Sequence, residues 1–85
     1  MMRKSTHTRE YRLFLRLLID ERMRAGLTQA ELGERLTFGQ PGISKIERGE
    51  RRVDLIELQM ICEQLGIELE NFVAEFKDRI RNEPE

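Results

Sequence analysis

Apolar residues in this chain recur at intervals of three and four and nowhere alternate with period two, so the regular structure that can bury them is helical. Tyr11, Phe14, Leu15, Leu18, Ile19 and Met23, widened by Leu13 and Leu17, predict a long first helix over residues 9–25, stopped at Gly26. Thr28-Gln29-Ala30-Glu31 has the spacing of a capping box, in which hydroxyl and carboxylate satisfy each other's backbone amides. It opens a second helix over about 29–36 with Leu32 and Leu36 inward. Thr37-Phe38-Gly39 breaks that helix. Pro41 suits a first helical turn and starts a third helix over about 40–48, burying Ile43 and Ile46 and ending at Gly49. A second capping box, Asp54-Leu55-Ile56-Glu57, opens a fourth helix that turns Leu55, Leu58, Ile61, Cys62 and Leu65 to one side as far as Gly66. Leu69, Phe72, Val73, Phe76 and Ile80 mark a fifth over about 69–81. The expected fold is all-α: one compact five-helix domain over 9–81, a mobile tail at 1–8 and a frayed end at 82–85.

Size and composition narrow the function. A chain of 85 residues buries only ~60% of its unfolded surface, which leaves no room for a separate catalytic or sensing domain. No apolar run approaches the ~20 residues of a membrane span, and no signal-peptide core follows Met1-Met2-Arg3-Lys4. Cys62 has no second cysteine to pair with and reads as a small core residue, which fits a reducing cytoplasm. With His7 as the single histidine, a Cys/His zinc site is excluded and a nucleophile–histidine pair would have to use the tail. Neither an enzyme, a metal, a cofactor nor a small-molecule ligand is therefore expected. The net charge of −1 conceals a split. Up to Arg52 there are 12 lysines and arginines against seven acids; beyond it there are three against nine. One part of the molecule is prepared for a polyanion and the other is kept from it.

The second and third helices are about two turns each, joined by three residues, with the small Gly33 where two helices would cross. That is a helix-turn-helix layout. The runs Gly26-Leu27-Thr28-Gln29-Ala30-Glu31-Leu32-Gly33-Glu34-Arg35-Leu36 and Ile43-Ser44-Lys45-Ile46-Glu47-Arg48-Gly49-Glu50-Arg51-Arg52 resemble the lambda-repressor/Cro-type family, also called the xenobiotic-response-element family. The likeness spans about residues 11–75. It implies that the third helix enters the major groove of double-stranded DNA and that Gln29 holds a backbone phosphate. Two departures stand out. Thr37 occupies a turn position where the family has glycine at positive φ, so it costs ~1 kcal/mol or forces a different turn. Gly39-Gln40-Pro41-Gly42 replaces the family's more typical run of Ser, Gln and Thr, removing two side chains that could bond to bases.

Direct readout is then expected from Gln40, toward adenine N6 and N7, and from Lys45, toward guanine O6 and N7 or a phosphate. Pro41 offers an apolar contact to a thymine methyl. Ser44, Arg48, Arg51 and Arg52 are expected to meet phosphates with Gln29. The plainer reading of each is a solvated helix residue. For Arg52 there is also an internal salt bridge to Glu47, which is read as structural rather than as a base reader. Arg9, Arg12, Arg16, Arg22 and Arg24 are expected mostly as exposed partners of neighbouring acids. The Arg3-Lys4 tail is an ordinary terminus or an arm on DNA.

The fifth helix extends its apolar stripe about one turn beyond what four packed helices need. Leu69 and Val73 are assigned to the core, and Phe72, Phe76 and Ile80 to an isologous homodimer interface, with Phe76 and Ile80 as anchors. The expectation is a dimeric transcriptional repressor or controller on a palindromic operator. The rival is an antitoxin-like or adaptor module that uses the same fold to bind protein.

Overall fold

The computed structural model describes residues 8–83. Five helices follow one another: α1 Arg9–Arg24, α2 Gln29–Glu34, α3 Gly39–Glu47, α4 Leu55–Leu65 and α5 Leu69–Asn82. Among the described residues there is no strand, and no helix is long and apolar enough to cross a membrane. Arg3, Lys4 and His7 lie outside the described residues.

Local chemistry sets the helix starts. The Thr8 hydroxyl accepts from the Tyr11 amide at 3.1 Å and caps α1. Both expected capping boxes form: the Thr28 hydroxyl accepts from the Glu31 amide at 3.0 Å, and Asp54 accepts from the Glu57 amide at 2.8 Å, with reciprocal bonds in each. The Thr28 bonds lower the Glu31 carboxyl pKa, so the box stays ionised.

The turn between α2 and α3 takes the second of the two routes open to Thr37. Among the described residues none but glycine has positive φ, and the left-handed step falls on Gly39 at φ 65°. Threonine keeps an ordinary backbone because the glycine two places later makes the turn. Phe38 folds back over α3, so that a Cβ on Gly42 would lie 2.8 Å from its ring. Gly42 is buried beneath that ring.

The core unites Leu15, Leu17 and Leu18 of α1, Leu32 and Leu36, Ile43 and Ile46 of α3, Leu58, Ile61, Cys62 and Leu65 of α4, and Phe72 of α5. Leu69, assigned to the core, is only partly buried against it, and three residues expected to face inward are exposed. Met23 is at the solvent end of α1, Leu55 is 64% exposed at the start of α4, and Val73 is 39% exposed. The inward edge of α5 is set by Phe72, which packs edge-on to Phe14 with centroids 5.9 Å apart, and by Phe76 at 6.2 Å from the same ring. Polar contacts lock the ends of this pairing. Arg79 meets Asp20 at 2.9 Å, and Arg9 donates to the backbone carbonyls of Ile80 and Glu83.

Candidate nucleic-acid interface

The crossing of α2 and α3 allows no side chain at Gly33. A Cβ there would stand 2.2 Å from the Gln40 backbone nitrogen and 2.5 Å from its Cα. Ile43 and Ile46 fill the inner side of α3, which turns Gln40, Pro41, Lys45 and Arg48 outward. These four are exposed, and Ser44 is half-buried beside them.

Behind that face lies a hydrogen-bond chain of four side chains. Arg22 of α1 grips Glu47, the last residue of α3, through Nε at 2.7 Å and Nη2 at 3.1 Å. Its Nη1 donates to the Leu27 carbonyl at 2.8 Å, and the pair is 12% and 6% exposed. Gln29 donates Nε2 to Glu47 at 2.8 Å, and Gln40 donates Nε2 to the Gln29 carbonyl oxygen at 3.3 Å. The charge of Glu47 fixes the direction of this chain. An anion can only accept, so Gln29 must turn its amide nitrogen inward and its oxygen toward Gln40. Gln40 then keeps its own oxygen and one N–H for an outside partner, the pair that the edge of adenine takes.

Glu47 thus has the structural role expected of it, but with another partner: Arg22 occupies both its oxygens, and Arg52 stays exposed. Arg22, expected on a solvated face, is largely buried. Arg48, Arg51 and Arg52 follow the end of α3. Arg48 forks onto Glu50, with Nε and Nη2 each at 3.0 Å from a carboxylate oxygen, and also donates to the Ser44 hydroxyl. Arg51 meets Glu57 at 2.8 Å and stacks 4.8 Å above the Phe38 ring. Sequence spacing signalled neither Phe38 nor Glu50, since each acts through a turn. Among the described residues no group of three or more Asp, Glu, His and Cys is placed to hold a metal.

The helix-turn-helix family model matches residues 18–72, more than half of the chain and the whole of α2 and α3. The chain belongs to the lambda-repressor/Cro-type helix-turn-helix family. This family member is a DNA-binding transcriptional regulator. Its fold is also that of the restriction-modification controller protein C.Esp1396I, solved as a crystal structure of a point mutant. The two agree with a TM-score of 0.81 at 21% identity, over 91% of this chain and 98% of the other. No curated protein matches the sequence.

Proposed function

We propose that the protein is a cytoplasmic homodimer that represses or otherwise controls transcription from a palindromic operator. Each protomer lays α3 in a major groove, with half-sites about one helical turn (~34 Å) apart. Gln40 reads adenine, Lys45 meets guanine or a phosphate, and Pro41 touches a thymine methyl. Gln29, Ser44, Arg48, Arg51 and Arg52 hold the backbone around them. The observation that carries this reading is the chain from Arg22 through Glu47 and Gln29 to Gln40, which leaves an exposed carboxamide already oriented.

The subunit contact in this reading uses α5 and the start of α4. Phe76 and Ile80 are half-buried, and Phe76 shares a groove of about 390 Å³ with Tyr11, Phe14, Val53, Leu55 and Leu58. Leu55, 64% exposed, lines it, and Ile56, 69% exposed, is the next residue of α4; both are apolar projections for a second copy. Phe72 does not join them: at 3% exposure its ring is used up within the protomer. Selection of bound duplexes from a random pool tests the whole reading. The expected product is a symmetric site with adenine at one position of each half. Recovery of no enriched sequence, with binding that ignores salt, would point instead to the adaptor role.

A further inference from the structure

The basic face is less free than its composition suggests, because an acid on the same face occupies one of its central arginines. Arg48 caps α3, and the chain turns at Gly49, with φ 78°, so that Glu50 comes back alongside. The Glu50 amide bonds to the Lys45 carbonyl at 2.8 Å, which holds the carboxylate in place through the backbone. Its two oxygens take Nε and Nη2 of Arg48 at 3.0 Å each, the same fork that would take two oxygens of a phosphate. The Arg48 hydrogen bonds and charge, with a smaller contribution from Lys45, hold the Glu50 carboxyl below its ordinary pKa.

We propose that Glu50 is a built-in competitor for DNA phosphate at Arg48, setting the affinity for any duplex below what the basic face would otherwise give. The inference rests on Arg48 meeting a phosphate. Exposure makes the exchange possible. The pair is 53% and 56% exposed, and solvent-exposed pairs contribute little, so a phosphate can displace the carboxylate. The Arg22–Glu47 pair, 12% and 6% exposed and tied to Gln29, cannot exchange in this way. The fold therefore keeps one ion pair as a fixture and the other as a gate. Because a phosphate is the same on every sequence, the gate acts on operator and random duplex alike.

The test is a double-mutant cycle read by fluorescence anisotropy on a random duplex and on a selected operator, across a salt series. Glu50→Gln keeps the size and removes the charge. It should bind both duplexes about 3- to 10-fold more tightly at low salt, and the gain should shrink as added salt screens the Arg48–Glu50 pair, since Arg48 meets the same phosphate in both proteins. The thermal midpoint should not move. Arg48→Ala should weaken both, and adding Glu50→Gln to it should restore almost nothing. An equal gain from Glu50→Gln with and without Arg48 would mean plain charge repulsion and overturn the proposal. So would no gain at all. If Arg48→Ala leaves affinity unchanged, Arg48 meets no phosphate, and the gate falls while the regulator reading stands.

Discussion

Gly33 and Gln40 touch backbone to backbone: a Cβ at Gly33 would lie 2.2 Å from the Gln40 nitrogen, far inside contact distance. The atom it would strike belongs to the main chain of α3, so no side-chain rotation can relieve it. Gly33→Ala must push the first turn of α3 outward and carry Gln40 with it. We expect a loss of about 1–3 kcal/mol in urea unfolding and a larger proportional loss of operator binding. Unchanged stability would mean that the helices do not cross this closely.

Glu47→Ala should be the more damaging substitution. It leaves the Arg22 guanidinium largely buried with only the Leu27 carbonyl for a partner, and it frees Gln29 to rotate. Breaking a buried pair from one side costs about 3 kcal/mol or more. Denaturant titration checks the size. Joint replacement by Arg22→Met and Glu47→Leu should recover much of the stability but not the adenine preference, because the orienting charge is still missing.

The turn should respond to substitution opposite to the family pattern. Gly39→Ala places a side chain at φ 65° and should cost about 1–2 kcal/mol. Thr37→Gly gains nothing, since Thr37 needs no positive φ, and unfolded-chain entropy should make it slightly destabilising. Equilibrium unfolding of the two variants decides it: a stabilising Thr37→Gly would show that the turn is strained at Thr37 after all.

Cys62 should be chemically silent in the native state. Burial, with a smaller contribution from Glu21, pushes its thiol up to about 11 from an ordinary value of 9.0. The thiolate nucleophile is scarce at neutral pH, and the side chain is fully buried. A thiol reagent at pH 7.5 should therefore modify it only as fast as the protein opens, and in full in denaturant. Because the native state favours the neutral thiol, its contribution to stability is intact below pH 9 and fades as pH rises toward 11.

Phe76→Glu separates core from interface. Phe76 is half-buried against Phe14, so the substitution costs some stability, but Phe72 continues to hold α5 to α1. Light scattering should then report a folded monomer with weakened operator binding. A folded variant that remains a dimer would move the subunit contact away from this groove.

Much of this protein can be read without its structure. The five helices, both capping boxes, the inward Ile43 and Ile46 and the need for a very small residue at position 33 all follow from spacings of at most four residues, or from a match of pattern. Those signals are local because a helix bonds only to its own next turn. What crosses between helices was not legible. Glu47 could be assigned a structural role from its motif, but the choice of Arg22, 25 residues away, over Arg52, five away, depends on how α1 lies across the end of α3. In the same way the stripe on α5, read alone, puts Leu69 and Val73 in the core and Phe72 at the subunit interface, and for Phe72 and Val73 the structure reverses this. Only the position of Phe14 selects Phe72 for the core and turns Val73 to solvent. Periodicity fixes which residues share a helix face, and the crossing of helices decides what that face meets.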